Sequence, residues 1–179
     1  LNILLRLSGL IDAVNDRIGR LVYWLVLAAV VVSSGNAMIR YLFSTSSNAW
    51  LELQWYLFSA IFLLCSGYTL LRNEHIRIDI VIGRFSTRTQ CWIDIFGALV
   101  FLLPMALIIM KLSWPMAMTS FNMGERSSDA GGLLRWPVKM LIPVGFFLLT
   151  AQGLSETIKR AAFLCGRIAE PGEKMHGHS

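Results

Sequence analysis

Histidine is scarce in this chain and badly placed for redox or metal chemistry: there are three in 179 residues, His75 in a charged stretch and His176 and His178 in a polar tail. A haem inside a helical bundle needs axial His or Met side chains on facing helices, so a bis-histidine haem is excluded. The eight methionines read as apolar filling. Cysteine is equally sparse. Cys65, Cys91 and Cys165 lie far apart, with no CxxC and no Cys/His spacing, which argues against a disulfide framework or a zinc site. Gly131-Gly132 lacks both the Lys-Ser/Thr pair and the preceding strand of a phosphate-cradling loop. The one dense polar group, Glu74, His75 and Asp79 interleaved with Arg72 and Arg77, contains no oriented nucleophile and reads as an ion-pair or headgroup network. No enzymatic activity, cofactor or metal is expected.

Charge is also in short supply. Charged residues are 15% of the chain against 55% hydrophobic, and the apolar residues come in long blocks, as in an integral membrane protein. The net charge of +5 would suggest nucleic acid in a soluble chain. Here no basic patch with interleaved aromatics stands apart from the apolar blocks, and membrane proteins concentrate Lys and Arg in cytoplasmic loops, so nucleic-acid binding is not expected.

What remains is a pattern of crossings. Over 1–20, Ile3, Leu7, Leu10, Ile11, Val14 and Ile18 recur at helical spacing opposite Asn2, Arg6, Asp16 and Arg20, predicting an amphipathic helix in the interface plane. Asp12, Asp16, Arg17 and Arg20 break up its apolar run, so a cleaved signal peptide is not expected. A first span covers about 21–42, with Asn36 in its small, polar part, where helix packing is the simplest role. Asn48 is the expected N-cap of a second span, about 49–72, which carries Glu52 in its first turn and Trp50, Trp55 and Tyr56 as an aromatic belt.

The charged stretch from Arg72 to Arg88 predicts a short interfacial segment, because a lone strand at a bilayer would leave its edges unpaired. Thr87 and Gln90 predict a capping box for a third span, about 90–114, kinked at Pro104, with Asp94 and Lys111 reaching headgroups from its two ends. A polar loop then turns through Arg135-Trp136-Pro137 into a fourth span, about 137–160. Trp136 suits a water–lipid boundary, Pro137 suits a first helical turn, and Lys139 can reach the headgroups. Gly145 and Gly153 predict one packing stripe, and 167–179 is a polar tail. The expected architecture is an all-α membrane protein: four transmembrane helices, an N-terminal amphipathic interfacial helix, and a short interfacial segment between the second and third spans.

Orientation follows from cation counting. Arg6, Arg17, Arg20, Arg72, Arg77, Arg84, Arg88, Lys159, Arg160, Arg167 and Lys174 fall on one side, and Arg40, Lys111, Arg126, Arg135 and Lys139 on the other. The excess predicts that both termini are cytoplasmic. With every charge assigned near an interface, the spans show no polar pathway of the kind a self-contained carrier needs. That suggests a structural or accessory subunit.

Three ordered segments sharpen this. After Leu71, Arg72 to Asp79 reads R-x-E-H-x-R-x-D, Gly124 to Ser127 reads G-E-R-S, and Gly132 to Pro137 reads G-L-L-R-W-P, followed by Pro143-Val-Gly145. Together with Glu52 in the aromatic-flanked second span, this series resembles the small membrane subunit of tripartite ATP-independent periplasmic (TRAP) transporters over nearly the whole chain. Leu134 stands where many relatives have Pro. The resemblance implies a single small-permease domain over 1–179 in a bacterial inner membrane, partnered by a large membrane subunit, a periplasmic substrate-binding protein and membrane lipids. The large subunit would move a carboxylate-bearing solute with Na⁺, and the small subunit would brace it without holding solute or ion. An accessory subunit of another membrane complex and a stand-alone small multidrug-type carrier are the alternatives.

Contact roles follow on that reading. Asn36, Glu52, Trp55, Arg72, Glu74, His75, Arg77, Asp79, Arg84, Arg88 and Gln152 are candidates for subunit or headgroup contacts. Gly124, Glu125, Ser127, Gly132, Arg135, Trp136 and Pro137 are candidates for a structural corner beside the surface where the binding protein docks.

Overall fold

The computed structural model describes residues 2–45, 47–72 and 85–167. Their elements are helical: α1 (Asn2–Phe43), α2 (Asn48–Leu71), α3 (Thr87–Gly97), a π-turn (Ala98–Leu102), α4 (Leu103–Asn122) and α5 (Trp136–Leu164). α3, the π-turn and α4 form one continuous rod, so four helical rods are long and apolar enough to cross a membrane. The chain runs up and down, placing the start of α1 and the end of α5 at one end of the bundle, here the terminal end. The α1–α2 and α4–α5 connections lie at the other, the loop end. The stretch 73–84, expected as an interfacial segment, and the tail 168–179 lie outside the described residues.

α5 is the hub. It packs against α1, α2, α3 and α4, and its buried positions include Gly145, Leu148, Gln152, Gly153, Ser155 and Ala162. Gly145 lets the α2 backbone come close: a β-carbon there would stand 2.7 Å from the carbonyl oxygen of Leu63. At Gly153 the neighbour is different, since a β-carbon would meet Leu102 Cδ2 at 2.7 Å. Eight residues turn a helix through two turns and about 80° more. The two glycines therefore serve two contacts rather than one stripe.

The amphipathic N-terminus is helical but does not form a separate element. α1 is a single 42-residue helix, about 63 Å long at the standard rise. No proline interrupts it, and Arg20 pairs with Asp16 at 2.6 Å across the expected junction, so nothing there ends the helix.

Three other boundaries differ from expectation. The N-cap of α2 is Ser47, and Asn48, inside the helix, donates instead to the Ala130 carbonyl at 3.1 Å. α3 is capped by Ser86, whose hydroxyl accepts from the Thr89 amide, while Gln90 Nε2 donates to the Phe85 carbonyl at 2.9 Å; the cap lies one residue before Thr87. α4 continues through Pro115 to Asn122 rather than stopping at Trp114. Helix–helix packing offsets the one hydrogen bond that a proline removes.

Pro104 does disturb the third rod, as a π-turn. Its ring would clash with the carbonyl four residues back, and the wider π geometry relieves this. The eight steps from Ile95 to Leu103 would swing a regular helix about 80° off its face. One extra residue in the π-turn cancels most of that swing, and Cys91, Ile95, Leu103 and Ala106 are all buried.

Candidate functional site

Two polar clusters lie along α5, one at its start and one over its C-terminal half. At the terminal end, α1 and α5 face each other with two polar stripes of matched spacing: Ser8, Asp12 and Asn15 against Gln152, Ser155, Glu156 and Lys159. The Asp12 carboxylate is the common acceptor. Oδ1 takes Gln152 Nε2 at 2.8 Å and Ser155 Oγ at 2.7 Å, and Oδ2 takes Lys159 Nζ at 2.9 Å. Asn15 Nδ2 donates to Gln152 Oε1 at 2.8 Å, Ser8 and Ser155 share a hydrogen bond at 2.6 Å, and Lys159 also reaches Glu156 Oε1 at 2.5 Å. In this cluster Asn15 Oδ1 alone is left without a hydrogen-bond partner among the described residues; the remaining bonds of such a buried network rigidify a contact and fix its register.

Gln152, expected at a subunit or headgroup contact, is thus fully enclosed by its own chain. Arg72 is likewise held within the chain, pairing with Asp16 at 2.7 Å and lying 5.1 Å from the centre of the Tyr68 ring. Asp94, expected to reach headgroups, forms an ion pair with Arg160, and Lys159, like Arg160, is held in an internal ion pair. Glu74, His75, Arg77, Asp79 and Arg84 lie outside the described residues.

At the loop end, residues 123–135 fold back on α2. Glu52 is buried and accepts the Leu133 amide at 2.6 Å. It is turned into its own loop rather than towards lipid, because that amide needs an acceptor once covered. Tyr56 donates its hydroxyl to the Leu134 carbonyl at 2.8 Å. The loop closes on itself through Ser127 N–H to Leu133 O at 2.9 Å and Arg135 N–H to Glu125 O at 2.8 Å. Arg135 Nη2 donates to Ser127 Oγ at 3.3 Å, and Lys139 pairs with Glu125 instead of reaching headgroups. Hydrogen-bonded to that ammonium, the Glu125 carboxyl titrates below its ordinary range.

Gly124 turns the chain at φ +58°, a conformation natural to glycine. Gly132 leaves room for Ser127, whose β-carbon would be 2.4 Å from an added one. Trp136 sets its ring edge-on to Phe121 at 5.1 Å, and Pro137 occupies the first turn of α5. Trp55 stands T-shaped against Tyr56 at 4.3 Å and lines a groove of about 490 Å³ with Phe58, Phe62, Arg135 and Lys139.

Asn36, Arg88 and Lys111 lie apart from both clusters and from these ion pairs. Asn36 is buried at the floor of a groove of about 540 Å³ between α1 and α2, beside Ser33, Arg40 and Gln54. Arg88 is exposed in the first turn of α3. Lys111, expected near the end of its span, instead has eleven further helical residues beyond it, to Asn122. Among the described residues no group of three or more His, Cys, Asp or Glu side chains could hold a metal ion.

A family model described as the DctQ component of tripartite ATP-independent periplasmic transporters matches residues 29–163. The chain belongs to the DctQ family. It is therefore a multi-pass membrane component of a bacterial TRAP system and a member of a transporter family rather than an enzyme family. No curated protein and no solved structure matches the chain. The DctQ match takes in the loop-end cluster and the Gln152–Lys159 stripe, while Ser8, Asp12 and Asn15 precede it. Sequence reasoning assigned Ser8, Asp12 and Asn15 no role. The signal that could have found them is their i, i+4, i+7 spacing, which places three polar side chains on one helical face.

Proposed function

We propose that this DctQ component braces the large membrane component of a Na⁺-driven importer, whose carboxylate-bearing solute arrives on a periplasmic binding protein. One observation carries the reading. Within the described bundle, two internally bonded polar clusters lie along α5, and the stretch of α5 between Lys139 and Gln152 contains no ionisable group. A carrier needs ionisable or unwound segments at mid-membrane, facing its interior. A brace needs stiff rods with apolar outer faces, such as Val30, Val31, Phe58, Phe62, Phe101 and Ile108 present here.

On this reading both termini are cytoplasmic. The Lys and Arg excess on the terminal side supports that, and ion pairing of Lys159 and Arg160 does not weaken it, since the rule counts cations rather than net charge. The loop-end corner then faces the periplasm, and its backbone hydrogen bonds give the binding protein a fixed surface.

Reconstitution tests the proposal. Vesicles holding the large component with and without this chain, supplied with loaded binding protein and a Na⁺ gradient, are expected to show uptake only when the chain is present. Full uptake without it, or transport by this chain alone, rules the bracing role out.

A further inference from the structure

Lys111 lies well inside the third rod, eleven residues from its loop end. Phe121 packs on Trp136 at one end of the α4–α5 contact, and Leu102 and Leu103 meet Gly153 at the other. Lys111 is eight residues from Leu103 and ten from Phe121, close to midway between them. The corresponding point on α5 is near Gly145, inside the uncharged run between Lys139 and Glu156 and two to three residues from its centre. Lys111 is nevertheless exposed on the outside of the bundle, among the exposed Leu107, Ile108 and Leu112, with no hydrogen-bond or ion-pair partner among the described residues.

Facing lipid, such a charge is costly and calls for a partner. Snorkelling offers little relief. The loop end of α4 is eleven residues on, about 16 Å, and helical side chains lean towards the helix N-terminus, away from that end. The other end is farther still.

We propose that Lys111 docks against a transmembrane helix of the large component and pairs there with a carboxylate at mid-membrane depth. A second copy of this chain cannot supply that group from its described helices. Their carboxylates are Asp12, Asp16, Glu52, Asp94 and Glu156, all near the bundle ends and all bonded within the chain. The surrounding Leu107, Ile108 and Leu112 give the partner helix an apolar seat, and the ammonium fixes its register. This inference rests on the bracing role and identifies the face that carries it.

The test uses the assembled complex in native membranes. Lys111→Met is expected to lower recovery of the large component with the tagged chain by about tenfold, Lys111→Arg to restore it, and the melting temperature of the isolated Lys111→Met chain to hold or rise. A photoreactive phenylalanine at Ile108 is expected to capture the large component. Undiminished recovery with Lys111→Met overturns the proposal while leaving the bracing role intact. So does capture of lipid or of a second copy alone, or a Lys111→Met complex that assembles fully but no longer binds solute. Failure of the unaltered chain to recover the large component overturns both.

Discussion

Asp12 on the first helix and Lys159 on the last, 147 residues apart in sequence, meet at 2.9 Å. Around this pair Gln152 and Ser155 donate to the same carboxylate, so one side chain fastens the N-terminal helix to the hub.

Replacing Asp12 by Ala removes three hydrogen bonds at once and leaves the Lys159 ammonium with Glu156. Because the carboxylate is about a quarter exposed, the expected loss is about 1.5–3 kcal/mol, typical of hydrogen bonds to charged groups, with Asp12→Asn in between. Thermal unfolding in detergent measures it; a melting point equal to that of the unaltered chain contradicts the fastening role.

Glu52 makes a local prediction. With Glu52→Ala the covered Leu133 amide loses its acceptor, at about 1–3 kcal/mol, and the loop rather than the bundle feels it first. Hydrogen exchange should accelerate in peptides spanning 124–135 while peptides from α5 stay protected. Equal acceleration in both would place Glu52 in the global fold instead.

Close backbone approach separates two glycines. Gly145→Ala forces a methyl against the Leu63 carbonyl, which cannot move as a flexible side chain could, and should cost about 1–3 kcal/mol as overpacking. Gly9 lies in α1 with nothing within 4 Å of an added β-carbon, so Gly9→Ala should be neutral or raise stability by about 0.5–1 kcal/mol. The order of the two melting points is the measurement.

The Glu125–Lys139 pair sets a pH window. The folded-state pKa of Glu125 is depressed below 4.5, first by the hydrogen bond from Lys139. A depressed carboxylate stabilises the folded corner fully above its unfolded pKa, and that contribution is lost as pH falls through the folded value. A ¹³C titration of Glu125 should therefore show a midpoint under 4.5, moving upward in Lys139→Met. An unchanged midpoint would deny the pairing.

Much of the fold was legible in the sequence because it rests on local physics. Long apolar runs announced the four rods, the first two of them uncharged, and Trp136-Pro137 announced where the last one starts. Partners chosen across the bundle were not legible. Asp12 interrupts an apolar pattern, and on its own that reads as interface chemistry; only the matching stripe at Gln152, Ser155 and Lys159 turns it into a buried contact. Glu52 suited a helix N-terminus on dipole grounds, but nothing local shows that Leu133 folds over it. Lys111 was misplaced for a related reason: the third span was expected to end near Trp114, whereas tertiary packing carries α4 through Pro115 to Asn122.

The π-turn also gives the third rod some freedom in length. Removing one residue there while replacing Pro104, for example deleting Leu99 with Pro104→Leu, would turn the rod into a regular α-helix. The Ile95-to-Leu103 interval would then become seven steps, close to two whole turns, with both halves still facing α5. Natural variants one residue shorter at this point, and engineered ones, should keep the same interior, whereas a one-residue deletion near Ala106 would turn one half of the rod away from its neighbour. For aligning sequences of this kind, the stretch from Ala98 to Leu102 is where a gap can open without moving the fold.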